Sequence, residues 1–326
     1  MIQESEGSCK RMDAIRIEST TKKFGDIVAV DNLSLEVQKG EMFALVGPDG
    51  AGKTTTIRML CGITPPTSGN LTVLGFDVKK HIGEVRKRIG YLSQKFSLYG
   101  DLTVDENIEF FAEIHGVMDY HARRNELLEF TRLTDFRTRL AEKLSGGMKQ
   151  KLALACTLVH TPELIFLDEP TTGVDPVSRR DFWKVLSSLL KSGITILMTT
   201  PYLDEAERCT RVALMNEGKI VMADTPQNLK KVMKGEIVEI VCSDIRKSFS
   251  LLKQNTVVQE VQAFGDRLNI MIGRADRDMP EVLAQLNRAS IEVQDWRAIP
   301  PSLENVFISL MTEHRSTKES EERKNV

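Results

Sequence analysis

A short apolar run passes directly into a glycine-rich turn at residues 43–55. An apolar strand that ends in such a turn and continues as a helix is the arrangement of a phosphate-binding loop. The glycines let backbone N–H groups curl around an anion, and the helix directs its positive end to the same point. The residues expected to hold a nucleoside triphosphate are Gly47, Pro48, Asp49, Gly50, Ala51, Gly52, Lys53, Thr54 and Thr55.

Two side chains at the start of this helix suit the chemistry of a triphosphate. Lys53 adds a full positive charge beside the terminal phosphates, and Thr54 is placed to offer its hydroxyl to a magnesium ion. The alternative is a glycine-rich turn between strand and helix that carries an unrelated lysine. Because strand, glycines, lysine and helix occur in the required order, we predict that the chain binds a nucleoside triphosphate with magnesium.

Length and composition restrict the remaining possibilities. A chain of 326 residues suggests two domains, since single cores stop growing at roughly 250–300 residues. The net charge of -2 argues against a nucleic-acid-binding surface, which usually has a basic excess. The sequence has no apolar run of the ~18–20 residues that span a bilayer, and no signal-peptide core at its start, so a cytosolic protein is expected. The five cysteines form no Cys-x-x-Cys pair, which predicts reduced thiols without metal.

The segments on either side of the loop contain further candidates for the site. Phe24 follows a predicted strand at residues 15–18, where an aromatic ring could stack on a nucleotide base or pack into the core. Gln94 follows the predicted buried strand 89–92. A glutamine at the carboxyl end of a strand can reach a metal ion or a water molecule without adding charge.

The pattern changes to helical between about residues 96 and 160. Thr103 and Glu106 have the spacing of a capping box at the start of one helix. Ser145 is a natural N-cap for another, yet Gly146 and Gly147 in its first turn weaken a helix. Close approach of their backbone N–H groups to an anion would explain the two glycines.

Two carboxylates follow the apolar strand predicted at residues 164–167. Asp168 and Glu169 lie at the strand's carboxyl end, the edge where open α/β sheets bind ligands. Two adjacent carboxylates can have separate tasks: we expect Asp168 to hold hydrated magnesium and Glu169 to polarise the attacking water. A solvated acidic turn is the alternative, which the fully apolar preceding strand disfavours. Another strand, at 194–198, leads to Thr199, Thr200 and Pro201.

Together these motifs resemble the ATP-binding cassette of ABC transporters. The phosphate loop, the Gln94 loop, the 144–148 signature, the Asp168–Glu169 pair and the Asp175 loop occur in the family's order between residues 14 and 230. The resemblance implies a P-loop α/β fold with a helical subdomain at about 96–160, and ATP and magnesium as cofactors. It also implies that Phe24 stacks on adenine.

The resemblance extends to the partners. In this family Ser145, Gly146 and Gly147 cap the nucleotide of the opposite subunit, and Asp175 belongs to the loop that crosses the dimer seam. A dimer with itself or with a second ABC ATPase is therefore expected. Residues 96–103 are similar to those of bacterial drug, antibiotic and polysaccharide exporters whose permease is a separate chain. This implies an ATPase on the cytoplasmic face of the inner membrane that contacts a permease and no nucleic acid.

Pro201 departs from the family pattern. It stands where the family has the switch histidine that contacts the γ-phosphate. Proline has neither an imidazole nor a backbone N–H, so the contact is lost from both sources. A slow site on this chain is expected unless Tyr202 or an ordered water replaces the histidine.

The segment after residue 235 has its own pattern. Strands are predicted at 237–241, 257–264, 267–272 and 291–296, with helices at 245–252 and 279–289. This β-α-β-β-α-β order is typical of a small ferredoxin-like α+β domain. A last helix at 302–311 completes an accessory domain at 235–313 that resembles those of some exporter ATPases. The terminal segments 1–13 and 314–326 are expected to be flexible and disordered.

Two other classes of function remain open at this point. A soluble ABC protein that acts on ribosomes or DNA usually has two cassettes, a long coiled coil or zinc-binding cysteines, and the sequence has none of these. A nucleotide-dependent regulator with little turnover is the second alternative, and Pro201 is the residue that favours it.

Overall fold

The computed structural model describes residues 13–95 and 98–312, which divide between Ala223 and Asp224 into two compact units. The terminal segments expected to be flexible or disordered lie outside the described residues, except for Asp13, which begins the first strand. Within the described ranges, no helix is both long enough and apolar enough to cross a membrane.

Unit 1 contains ten strands and seven α-helices among the described residues. The strands are β1 (Asp13–Phe24), β2 (Ile27–Gln38), β3 (Met42–Val46), β4 (Ser68–Val73), β5 (Phe76–Asp77), β6 (Ile89–Leu92), β7 (Leu164–Asp168), β8 (Thr195–Thr200), β9 (Arg211–Asn216) and β10 (Lys219–Asp224). The helices are α1 (Lys53–Leu60), α2 (Ile82–Arg86), α3 (Val104–Ile114), α4 (His121–Thr131), α5 (Gly146–Leu158), α6 (Pro176–Lys191) and α7 (Leu203–Ala206).

These strands form two sheets with helix α1 between them. One sheet has the order β2-β1-β4-β5, and the other has the order β10-β9-β3-β8-β7-β6. The second is parallel from β9 through β6. Helix α1 contacts β2 and β4 of the first sheet and β7 of the second, and Ile57, Met59 and Leu60 lie in their shared core. The core therefore fixes the helix that follows the phosphate loop.

The parallel strands place their carboxyl ends along one edge. Strand β3 leads into the phosphate loop, β6 leads to Gln94, β7 ends at Asp168, and β8 leads to Pro201. Residue Asp168 of β7 pairs with Thr199 of β8. This edge of the sheet therefore gathers the residues predicted for catalysis, as expected for an open α/β sheet.

Three α-helices, α3 to α5, occupy the segment between β6 and β7. The predicted capping box at the start of α3 is confirmed, because the Thr103 hydroxyl accepts from the backbone N of Glu106 at 3.2 Å. In return, the Glu106 carboxylate accepts from the backbone N of Thr103 at 2.7 Å.

Unit 2 forms a four-stranded antiparallel sheet with the order β12-β13-β11-β14. Its elements are α8 (Pro226–Lys230), β11 (Glu236–Cys242), α9 (Ile245–Leu252), β12 (Val258–Phe264), β13 (Arg267–Ile272), α10 (Ala275–Arg288), β14 (Val293–Ile299) and α11 (303–312). The buried residues of α10, including Met279, Val282 and Leu286, share one core with the sheet. The helix predicted at 279–289 starts four residues too late, because α10 begins at Ala275. Pro280 lies inside this helix.

The four described cysteines, Cys61, Cys156, Cys209 and Cys242, are free and buried. Burial raises the pKa of the Cys61, Cys156 and Cys209 thiols above its ordinary value. These thiols are therefore core side chains held in the protonated form at neutral pH.

Candidate nucleotide-binding site

The turn between β3 and α1 is packed so closely that two of its positions accept only glycine. A Cβ atom at Gly47 would lie 2.0 Å from the Met215 carbonyl oxygen, and one at Gly52 would lie 2.4 Å from the Ala29 carbonyl oxygen. Gly52 also has φ of 99°, which side chains rarely adopt. The backbone N of Gly218 holds the loop by donating to the Ala51 carbonyl at 3.1 Å. The β9–β10 hairpin therefore shapes the loop from behind.

Helix α1 directs its N-terminus into this loop. Its N-cap is Gly52, so no side chain caps the first turn, and the N–H groups of that turn are directed at the loop. Lys53 is 4% exposed, and its Nζ donates to the carbonyls of Gly47 at 2.7 Å and Pro48 at 2.9 Å. The same Nζ lies 3.7 Å from the Glu169 carboxylate. A phosphate that enters the loop competes with these acceptors for the lysine.

Asp168 is the buried carboxylate at the end of β7, 1% exposed. Its Oδ1 accepts hydrogen bonds from the hydroxyls of Thr54 at 2.8 Å and Thr199 at 2.7 Å. Its Oδ2 is buried and has no hydrogen-bond partner within the described residues. A buried oxygen without a partner fits a hydrated cation, because such an acceptor is otherwise costly.

The donor set around Asp168 fits magnesium better than a metal held by protein alone. The part of the chain that the structure describes has no cluster of three or more His, Cys, Asp or Glu residues that could hold a metal ion. Magnesium is commonly held by one or two carboxylates together with water and substrate phosphates. Thr54 and Asp168 are therefore the residues that would hold it beside a triphosphate.

Glu169 follows Asp168 in a strained backbone conformation, with φ of 50°. Its Oε2 accepts from the Gln94 side-chain amide at 2.8 Å and from the Thr172 hydroxyl at 3.3 Å. The residue is 9% exposed, so the solvated acidic turn considered from the sequence is wrong. Gln94, which the sequence predicts to reach a metal ion or a water molecule, thus lies beside this carboxylate and donates to it.

Phe24 lies at the end of β1 and is 51% exposed. Of the two alternatives that the sequence left open, packing into the core is therefore wrong, and the ring is accessible for stacking. Lys22 Nζ lies 4.8 Å from the ring centroid. An exposed aromatic face beside a cation suits a flat, electron-rich base.

The two glycines at the start of α5 differ in their surroundings. A Cβ atom at Gly147 would lie 2.3 Å from the side chain of Ser178 in α6, whereas one at Gly146 would have no neighbour within 4 Å. Packing against α6 thus supplies a reason for glycine at position 147, beside the predicted approach of its backbone N–H to an anion. Ser145 caps the helix, as its hydroxyl accepts from the backbone N of Met148 at 3.3 Å. Gly146 and Ser145 are exposed.

Asp175 caps helix α6. Its carboxylate accepts from the backbone N atoms of Val177 at 3.0 Å and Ser178 at 2.9 Å. Hydrogen bonds from Ser178 hold the pKa of Asp175 below its ordinary value, so the residue is ionised at neutral pH. Ser178 also packs against Gly147. One residue therefore contacts both helix α5, which begins in the 144–148 signature, and Asp175 at the start of α6.

Pro201 follows β8 directly and is half-buried. The backbone N of Tyr202 donates to the Thr200 hydroxyl at 3.0 Å. The Arg179 guanidinium lies 4.7 Å from the centroid of the Tyr202 ring and 3.5 Å from the Glu205 carboxylate. Tyr202, the candidate replacement for the missing histidine, is thus packed against the ion pair of the half-buried Arg179 with the buried Glu205.

The structure brings the predicted residues together in two groups of contacts, Thr54 with Asp168, and Lys53 and Gln94 with Glu169. The Thr199 hydroxyl connects the two groups, because it contacts Asp168 Oδ1 and the backbone N of Glu169. The bonds described for Ser145 and Asp175 run within their own helices. Sequence reasoning assigned no role to Thr199 or Thr172. The signal for Thr199 is a polar residue near the carboxyl end of an apolar strand, two positions before Pro201.

Comparisons with known proteins agree with this geometry. The family described as ABC transporter matches residues 30–172, and the family described as ATP-binding protein DrrA1-3-like, C-terminal domain, matches residues 225–311. The daunorubicin resistance ATP-binding protein DrrA3 of Streptomyces coeruleorubidus is 35% identical over 94% of this chain and 98% of its own length. The probable multidrug ABC transporter ATP-binding protein YbhF of Escherichia coli is 45% identical over 66% of this chain. The matched region covers only 38% of the length of YbhF.

A solved structure supports the fold. The dimeric post-hydrolysis structure of the ATP-binding cassette MJ0796, bound to ADP and Pi, is 26% identical with a TM-score of 0.59, covering 65% of this chain and 98% of MJ0796. The chain therefore belongs to the ABC transporter ATP-binding proteins, with a P-loop α/β cassette and a DrrA-like C-terminal domain that contains an antiparallel sheet and helices.

Proposed function

We propose that this chain hydrolyses ATP to drive a bacterial exporter whose membrane permease is a separate protein. The observation that carries the proposal is the buried network around Lys53, Asp168 and Glu169 at the carboxyl edge of the parallel sheet. At one edge it brings together a lysine suited to phosphate, a carboxylate whose buried Oδ2 has no partner within the described residues, and a second carboxylate that accepts from Gln94. Phosphoryl transfer to water requires these parts.

Each residue has a distinct task in this mechanism. The loop N–H groups and Lys53 hold the phosphates, while Thr54 and Asp168 hold magnesium, which when bound neutralises charge on the phosphate oxygens. Glu169 orients the attacking water and accepts its proton. Gln94 keeps the Glu169 carboxylate in position through its 2.8 Å hydrogen bond. Phe24 stacks on the adenine ring.

The site is completed by a second subunit. Ser145 and Gly146 are exposed, and Gly146 has open space where a Cβ would lie, which supports close approach of another molecule. The proposed occupant is the nucleotide held by the opposite cassette, in a dimer with the same chain or with a second ABC ATPase. Asp175 lies at that seam.

We propose that the protein is a peripheral subunit on the cytoplasmic face of the inner membrane. Relatives carry names that refer to daunorubicin resistance, linearmycin resistance and Nod factor export. The transported compound is selected by the permease, so this chain supplies energy rather than specificity. The regulator alternative is favoured only by Pro201.

The C-terminal unit is proposed to be a ferredoxin-like domain that braces the dimer. Its β-α-β-β-α-β order and the sheet order β12-β13-β11-β14 support the ferredoxin-like assignment. The domain limits that we propose are 14–230 for the cassette and 235–313 for the accessory domain.

A cavity on unit 1 is the proposed contact with the permease. It has a volume of about 260 Å³, and its lining includes Ile63, Tyr91, Phe111 and His115. Ile63 is 52% exposed, and Ile114, which precedes the lining residue His115 in the sequence, is 61% exposed. Exposed apolar side chains around a concavity are typical of protein interaction sites.

Replacing Ile63 by aspartate is expected to reduce capture of the permease at least tenfold, because a charge at the cavity rim must be desolvated in the complex. The affinity-tagged chain is expressed in its native host, and the polytopic membrane protein purified with it is quantified. The matched control is Ile27→Asp, since Ile27 is 71% exposed on the β1–β2 hairpin. Absence of any polytopic partner with the wild-type chain would contradict the exporter proposal.

A further inference from the structure

We propose that Thr199 is a positioning residue of the ATP site, whose hydroxyl orients both acidic residues at the end of β7. The inference rests on the proposed function and assigns a task to a residue outside the phosphate loop and the two carboxylates. Thr199 is fully buried in β8, directly opposite Asp168 in the β7–β8 register.

The hydrogen bonds of this hydroxyl have a fixed direction. Its Oγ1 lies 3.0 Å from the backbone N of Glu169 and 2.7 Å from Asp168 Oδ1. A backbone N–H can only donate, so the hydroxyl accepts from Glu169 and its single proton is donated to the Asp168 carboxylate. One buried atom therefore connects the metal-binding carboxylate with the backbone of the general base.

The bond to Asp168 determines which of its oxygens is available to a cation. Oδ1 is occupied by the hydroxyls of Thr199 and Thr54, whereas Oδ2 is buried and has no partner within the described residues. Thr54 is itself a proposed magnesium ligand. If the Thr54 hydroxyl were engaged by the ion, Thr199 would be the remaining donor to Oδ1, and Oδ2 would stay available to a cation.

The bond to Glu169 supports a strained conformation. Glu169 has φ of 50°, and its backbone N also donates to the Thr199 carbonyl oxygen at 3.1 Å. Non-glycine residues in this region persist only when surrounding contacts hold them. Thr199 supplies both acceptors for this N–H group, so the direction of the Glu169 side chain depends on it.

The test compares three single substitutions in the full chain. Thr199→Val removes the hydroxyl at nearly constant volume, and Thr199→Ser keeps it. Thr195→Val is the matched control, because Thr195 is also buried in β8 and its hydroxyl accepts from the Gly40 backbone N at 2.9 Å, at the other end of the strand. ATP binding is measured by calorimetry with excess EDTA and with increasing Mg²⁺, and Mn²⁺ binding with a non-hydrolysable ATP analogue is followed by electron paramagnetic resonance.

Thr199→Val is expected to bind ATP like the wild type in EDTA, but to need about tenfold more Mg²⁺ or Mn²⁺ for half-saturation, as loss of a hydrogen bond to a charged group predicts. Thr199→Ser and Thr195→Val should keep the wild-type metal requirement. If Thr199→Val does not fold, Thr199→Ala replaces it with the same expectation.

Two results would overturn the inference. One is a wild-type metal requirement in the variant that lacks the hydroxyl, and the other is an equal defect in Thr199→Ser. Either result, with normal magnesium-dependent ATP binding by the wild-type chain, leaves the proposed function intact. A wild-type chain without magnesium-dependent ATP binding would overturn the proposed function, and the inference with it.

Discussion

Glu169→Gln is expected to lower ATP turnover by about 10²–10⁴-fold while ATP remains bound, the range for loss of a general base. The amide keeps the shape of the side chain but cannot accept a proton from water as a carboxylate does. It also removes the negative charge 3.7 Å from Lys53 Nζ, which frees the lysine for phosphate. ATP affinity should therefore be unchanged or tighter, and the ATP-bound dimer should accumulate.

The measurement combines phosphate release with ATP retention on the protein. The control is Glu163→Gln, which removes an exposed carboxylate just before β7, at the opposite end of the strand from Glu169. Glu163→Gln should turn over ATP at the wild-type rate. Wild-type turnover in Glu169→Gln would show that Glu169 is not the general base.

Pro201→His is expected to raise the turnover of the purified chain by about 10²–10³-fold, the usual value of one contact to developing charge. Histidine supplies the imidazole and the backbone N–H that proline lacks. Pro201→Ala is the matched control, because alanine restores only the N–H group. A rate that rises with histidine and much less with alanine would assign the effect to the imidazole.

The turnover of the wild-type chain alone, compared with that of Pro201→His, also distinguishes a functional homodimer from a pair with a second ATPase. Ser145 and Gly146 are intact, so a partner ATPase that retains the histidine would form one slow and one competent site with this chain. Fast turnover by the wild-type chain alone, with no gain from Pro201→His, would contradict the asymmetric pair. It would indicate that Tyr202, packed beneath Arg179, or a water molecule replaces the histidine.

Local patterns were sufficient to predict much of the site. The phosphate loop, the capping box at Thr103 and the acidic pair after β7 each depend on neighbours in sequence, and the structure contains the corresponding elements. The strand at residues 15–18 was predicted, but β1 extends from Asp13 to Phe24. Register shifts between Ile17 and Lys23 break the alternation of side chains on which strand prediction depends.

Contacts between distant segments could not be predicted. The role of Thr199 follows from the β7–β8 register, which pairs residues 31 positions apart. The need for glycine at position 147 comes from Ser178 in α6. Phe24 is exposed because it is the last residue of β1, beside the turn that connects β1 to β2. Each of these depends on tertiary packing, which sequence periodicity does not encode.

The central claim is that ATP binds at the loop that carries Lys53, and calorimetric titration of ATP into Lys53→Ala tests it most directly. Lys39→Ala, which removes a surface lysine from the same unit, is the control, and circular dichroism establishes that both variants fold. Lys53→Ala should bind ATP at least about tenfold more weakly, as expected when a charge-assisted contact to phosphate is removed. Lys39→Ala should bind ATP like the wild type. An undiminished affinity in folded Lys53→Ala would contradict the claim.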